Sequence, residues 1–141
     1  MSVGLDFDLR QVVLLAGTFG PREIQQITQA ISRDSANFRV FRDAVAELEA
    51  REDASPASNV RLGVCLYLLG RYYRSLEALR KGDGGALQHF YAAKAQFALE
   101  QYEAAAESYT AAKQAGYSSD ESSLGRAEAL RYAGKASAAL S

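Results

Sequence analysis

The feature that most constrains this chain is that its C-terminal half repeats itself. The segments LGVCLYLLGRYYRSLEAL, AKAQFALEQYEAAAESYTAA and GRAEALRYAGKASAAL can be laid over one another so that Gly70, Glu100 and Gly134 correspond, at spacings of 30 and 34 residues. A segment of this length that recurs holds one supersecondary unit, and such a unit buries its apolar faces only by stacking on its neighbours. The breakers divide the chain into pieces of helical length. Proline occurs only at Pro21 and Pro56, and glycine gathers at a few places. Proline suits the first turn of a helix, where its missing N–H would have had no partner.

Read in order, Asp8 to Ala16 forms a short helix or a buried strand, with helix favoured. A helix from Pro21 to about Ser32 carries Ile24, Ile27 and Ile31 on one side and Arg22, Gln25, Gln26 and Gln29 on the other. Ser35 is the expected N-cap of a helix from Ala36 to Arg51, with Phe38, Phe41, Val45 and Leu48 as its apolar stripe. Ser55 and Pro56 repeat the start signal for a helix apolar on two sides, with Val60, Val64 and Leu68 on one and Leu62, Leu66 and Leu69 on the other. Gly70 ends that helix; further helices are expected over Tyr72 to Arg80, Ala86 to Gln101, Tyr102 to Gln114 and Glu121 to Ala133, with Gly134 before a last short helix to Ser141.

The repeated segments resemble the tetratricopeptide repeat family, whose helix-turn-helix unit has a period of about 34 residues. The resemblance covers roughly Pro56 to Ser141. Leu62-Gly63 matches the family's Leu-Gly pair, Ala92-Ala93 fills that pair in the middle unit, and Tyr102, Ala105, Tyr109 and Ala112 fall on its marked positions in the turn and second helix. The third unit retains Ala127, Leu130 and Gly134. Departures are Glu100-Gln101 in place of the usual Gly-Asp turn, His89 where Trp or Leu is common, and a first unit about four residues short. The resemblance implies an all-α fold, a right-handed superhelical stack of antiparallel helix pairs (an α-solenoid) with seven to eight helices. Its repeats would span about 55–85, 86–118 and an incomplete 119–141, after an N-terminal helical extension or divergent repeat over 1–54.

In such a stack the first helices line a concave surface. The family's groove positions fall on Val60, Arg61, Val64, Tyr67 and Leu68 in the first unit, on Phe90, Tyr91, Lys94 and Phe97 in the second, and on Leu124, Glu128 and Arg131 in the third. Aromatics with scattered cations suit a peptide with apolar anchors and some acidic character. The competing reading makes these residues ordinary core, covered by the N-terminal hairpin or by a second copy of the chain. The clamp with which some members hold a C-terminal acidic tail is missing, since its positions read Val60, Val64, Tyr91, Glu121 and Gly125.

Composition narrows the function classes. Sixteen Lys plus Arg against seventeen Asp plus Glu leave a net charge of -1, which offers no positive field to hold a phosphate backbone, so no nucleic-acid partner is expected. Cys65 is the single cysteine and no Cys/His cluster has metal-ligand spacing, so neither metal nor cofactor is expected. Cys65 reads as a small core residue in a reducing compartment. The start MSVGLDFDLR is acidic where a secretory signal is basic, and Val12 to Ala16 is too short to span a bilayer; a soluble cytoplasmic protein is the expectation. The only histidine, His89, has no identifiable acid-base partner, and Lys81-Gly82-Asp83-Gly84-Gly85 lacks the Gly-Lys-Ser/Thr ending of a phosphate loop.

The expected function is therefore a non-catalytic protein-interaction scaffold that binds a peptide or protein segment. The alternatives are a homo-oligomer assembled through repeat ends exposing Leu130, Ala133 and Leu140, or a small secretion-type chaperone, to which the resemblance is architectural. An enzyme would need a site built mostly from backbone or from chain elsewhere.

Overall fold

The computed structural model describes residues 8–15, 17–51 and 55–140, the side chains of 139 and 140 excepted. The acidic start and the last residue fall outside these. Every element among the described residues is an α-helix. Eight are present: α1 (Leu9–Leu14), α2 (Pro21–Arg33), α3 (Ser35–Ala50), α4 (Pro56–Leu68), α5 (Tyr72–Leu79), α6 (Ala86–Ala98), α7 (Tyr102–Gln114) and α8 (Ser119–Leu140). None is long and apolar enough to cross a membrane. The chain divides into two compact units, Met1–Ala54 and Ser55–Ser141.

In the first unit each helix starts on a side-chain cap. Asp8 Oδ1 accepts the Gln11 N–H at 3.2 Å, Glu23 Oε1 accepts the Gly20 N–H at 2.9 Å with Pro21 following, and Asp34 Oδ1 accepts the Ala36 N–H at 2.9 Å. Asp34, not Ser35, is thus the cap of α3. The carboxylate satisfies an N–H that has no partner inside the helix and meets the positive end of the helix dipole. α1 and α2 both pack on α3, and Val13, Ile27, Phe41 and Val45 are fully enclosed. The α3 stripe is Phe41, Ala44, Val45 and Leu48; Phe38 is 39% exposed, because the buried arc begins one turn later. Arg51 Nη1 donates to the Leu14 carbonyl at 2.8 Å, joining the end of α3 to the end of α1.

In the second unit each helix packs on the next, α4 on α5 through to α7 on α8, and α4 also meets α6. Ser55 Oγ accepts the Ser58 N–H at 3.2 Å and Pro56 opens α4. Two pairs, α4 with α5 and α6 with α7, turn identically. Gly70 has φ +81 and Glu100 φ +64; the Gly70 and Arg71 N–H groups donate to the Tyr67 and Leu66 carbonyls, and the Glu100 and Gln101 N–H groups to the Phe97 and Gln96 carbonyls. This left-handed residue with paired reverse bonds is how a helix satisfies its last carbonyls while changing direction. α6 therefore stops at Ala98 and does not run to Gln101.

Gly63 sets how closely α5 lies on α4. A Cβ there would come within 2.5 Å of Leu79 Cγ. Beside it the buried Ser75 hydroxyl donates to the Gly63 carbonyl at 2.6 Å. Gly134 does not end α8, which runs as one helix from Ser119 to Leu140. A single glycine costs a helix only about 1 kcal/mol, and among the described residues nothing lies within 4 Å of where a Cβ at Gly134 would stand.

Candidate functional site

The residues expected to line a groove separate into three groups. Val60 and Val64 are buried, 6% and 0% exposed, and hold α4 in place; Val60 Cγ2 comes so near Gly82 that a Cβ on that glycine would lie 2.6 Å from it. Arg61 and Leu68 are half-buried on the same helix. The remaining positions, Leu124 apart, carry aromatic rings and charges that meet.

The first cluster joins Tyr67, Phe90, Tyr91 and Lys94. Tyr67 and Tyr91 meet edge to face at 5.6 Å between ring centres, and Phe90 and Tyr91 at 5.5 Å. Quadrupoles of opposite sign at ring edge and face favour this arrangement. Phe90 and Tyr91 are buried, Phe90 being enclosed also by Tyr109 at 5.6 Å and Tyr117 at 3.9 Å. Lys94 Nζ stands 5.5 Å from the Phe90 ring centre and 6.0 Å from that of Tyr67, so its charge rests on ring faces. Burial pushes the hydroxyls of Tyr67, Tyr91, Tyr109 and Tyr117 up from the ordinary value of 10.0; Tyr109 and Tyr117 reach about 12, aided by Tyr67 and Glu128 near the former and Glu121 near the latter.

The second cluster joins Phe97, Tyr102 and Tyr132. Phe97 lies 5.2 Å from each of the others, and Tyr102 stacks on Tyr132 at 5.5 Å. Two cations approach Tyr132, the Arg131 guanidinium at 4.9 Å and Lys135 Nζ at 5.2 Å. Glu128 lies 3.9 Å from Arg131, and both are exposed. Leu124, 74% exposed, joins neither cluster.

Tyr72, Tyr102, Tyr132 and Lys135 belong to these clusters without having been among the expected groove residues. The repeat held the signal for two of them. Tyr67 with Tyr72, 5.6 Å apart, recurs 30 residues later as Phe97 with Tyr102. Tyr132 lies inside the expected helix from Glu121 to Ala133 but at no groove position, and Lys135 becomes visible only once α8 is known to continue past Gly134.

The other chemistry-bearing residues take structural places. Cys65 is fully buried, and burial raises its thiol to about 12, opposed by the smaller influence of Arg61; a thiol held neutral is neither nucleophile nor ligand. His89 is half-buried in the first turn of α6. No group of three or more His, Cys, Asp or Glu that would hold a metal ion is present among the described residues. Compared with models of protein families, with curated proteins and with solved structures, the chain finds no match.

Proposed function

We propose that Ser55 to Ser141 is a stack of tetratricopeptide-type helix pairs, curved as a right-handed superhelix, that serves as a non-catalytic scaffold in the cytoplasm and holds a peptide or protein segment along its first helices. What carries this reading is that α4, α6 and α8, the successive first helices, each contribute an aromatic ring that is only partly covered: Tyr67, Phe97 and Tyr132. Cations lie against the first and last of these rings, from Lys94, Arg131 and Lys135. Ring faces give large contact area at low entropic cost and the cations favour acidic neighbours, so the expected ligand is an extended or helical segment with apolar anchors flanked by carboxylates. The identical turns at Gly70 and Glu100 support the repeat itself.

The test is selection from a displayed library of random linear peptides against the intact chain and against Tyr67→Ala/Phe97→Ala, with helix content of both followed by circular dichroism. Enrichment of acidic, aromatic-containing peptides by the intact chain, lost in a variant of unchanged helicity, is the expected result. Peptides retained equally by the variant would reject the groove.

A second reading, self-association, has its own observation. Leu124 and Leu130 of α8 are 74% and 43% exposed. Ala133 is half-buried and the Leu140 side chain lies outside the described residues. A mass in solution that rises with concentration, and falls on Leu124→Glu/Leu130→Glu, would favour it.

A further inference from the structure

The register of α7 against α8 brings together polar groups that lie apart in sequence. The last turns of α7 supply Thr110 and Lys113, and the first turns of α8 supply Ser122, Ser123 and Arg126, with the Tyr109 ring as the back wall of a half-open cavity of about 250 Å³. Tyr109 fits there because position 125 is glycine; a Cβ would lie 2.5 Å from its ring.

Two cations line this cavity and, among the described residues, no carboxylate does. Lys113 Nζ donates to Ser123 Oγ at 3.1 Å, which leaves the Ser123 proton to donate elsewhere. Arg126 makes no ion pair among the described residues. The Thr110 hydroxyl is engaged with the Ala106 carbonyl at 3.2 Å. Ser122 is the telling residue: it is 1% exposed and its Oγ has no hydrogen-bond partner among the described residues, although its backbone N–H is bonded to Ser118. A buried hydroxyl without a partner is costly and asks for an explanation, and a ligand is one. Asp120 and Glu121 sit in the first turn of α8 but do not line the cavity.

We propose that this cavity binds the dianion of a phosphate group. Two cations match its charge, and Ser122 and Ser123 offer hydroxyl donors for oxygens the cations leave open. A carboxylate, with one charge and a flat pair of oxygens, uses half of this set. The site shares the Tyr109 ring with the surroundings of the first aromatic cluster, but its polar groups are its own and it does not depend on the chain being a peptide scaffold.

The experiment is a titration of the full chain, at fixed ionic strength and neutral pH, with inorganic phosphate, free phosphoserine, acetate and chloride, read by nitrogen–proton correlation spectra. Amides of Ser122, Ser123 and Arg126 should shift saturably with both phosphates and not with acetate or chloride. Loss of a charged donor in Lys113→Met or Arg126→Met should weaken binding by ~10-fold or more, and Ser122→Ala by ~3–10-fold. Lys113 and Arg126 are exposed, and Ser122→Ala removes an unsatisfied group, so these variants keep their helix signal. Tighter binding of phosphoserine than of the free ion would assign the source to an ester, and equal binding to free phosphate. Shifts reproduced by acetate or chloride, or retained in all three variants, would mean an adventitious ion only and overturn the proposal.

Discussion

The pair α4 with α5 and the pair α6 with α7 reach the same geometry with different chemistry. Where the first has Gly63, Ser75 and Leu79, the second has Ala93, Ala105 and Tyr109; Ser75, Ala93 and Ala105 are fully buried, and Leu79 and Tyr109 nearly so. The first pair is bound by the Ser75 hydroxyl on the Gly63 carbonyl. The second is bound through Gln96 and Ser108, whose side chains meet at 2.6 Å; with its amide nitrogen toward the Ala92 and Ala104 carbonyls, each 3.2 Å away, Gln96 joins both helices. What recurs is small residues at the closest approach, one polar link across the pair and a left-handed turn. The identity of the filling residue is free so long as its partner compensates.

The largest expected effect comes from the tyrosines that distinguish the second pair. Tyr91, Tyr109 and Tyr117 all hold their protons more tightly than the ordinary 10.0, chiefly through burial. A folded chain that binds more protons than the unfolded one loses stability as pH rises. The stabilisation is therefore complete below about pH 10 and is lost as pH rises through about 12 for Tyr109 and Tyr117. Helix loss in this window should coincide with the part of the phenolate absorbance that Tyr109→Phe removes, and Tyr109→Phe should be the more stable chain midway through it. If the part of the phenolate absorbance that Tyr109→Phe removes instead rises around pH 10 with the helices intact, that ring is not held by the pair.

A smaller effect probes the closest approach. In Gly63→Ala the new Cβ meets Leu79 at its branch point and at 3.2 Å from its backbone N, so α5 itself has to move. Overpacking of this kind costs about 1–3 kcal/mol, against roughly 1 kcal/mol recovered from helix propensity. Denaturant unfolding should show a net loss that Leu79→Ala in the same chain does not deepen additively, since the second change makes the room the first requires. Full additivity would mean the two residues do not share that space.

Much of this was legible in the chain itself, because it rests on local rules. Pro21 and Pro56 with its Ser55 cap mark helix starts, and Gly70 and Glu100 fall at corresponding places in the repeat since the same turn is built twice. What was not legible depends on what a helix packs against. Asp34 and Ser35 are both good caps, and only the backbone decides between them. Gly134 has the look of a stop, but a stop needs a following element that packs back, and α8 continues instead. Val60, Val64, Phe90 and Tyr91 are among the residues expected to line a groove yet are buried, because aromatic neighbours and close glycines enclose positions that a spacing argument leaves open. The cavity of Lys113, Ser122 and Arg126 carries no motif, as its members meet only through the register of two helices.

The smallest effect is the sharpest test of the comparison, because it has opposite signs in the two pairs. Gly70 and Glu100 share one backbone conformation, φ +81 and φ +64, and make the same reverse hydrogen bonds. Glycine reaches this region without penalty, whereas a residue with a Cβ is strained there by roughly 1–2 kcal/mol. Gly70→Ala should therefore destabilise by about 1 kcal/mol while Glu100→Gly stabilises by about 0.5–1 kcal/mol, part of the relief being offset by the greater freedom of glycine in the unfolded chain. The sites are far enough apart in sequence to be combined in one chain, where the two shifts in denaturant midpoint should nearly cancel. If Glu100→Gly instead lowers the midpoint, the Glu100 side chain contributes more than its backbone strain costs, and the two turns are alike in shape but not in what holds them.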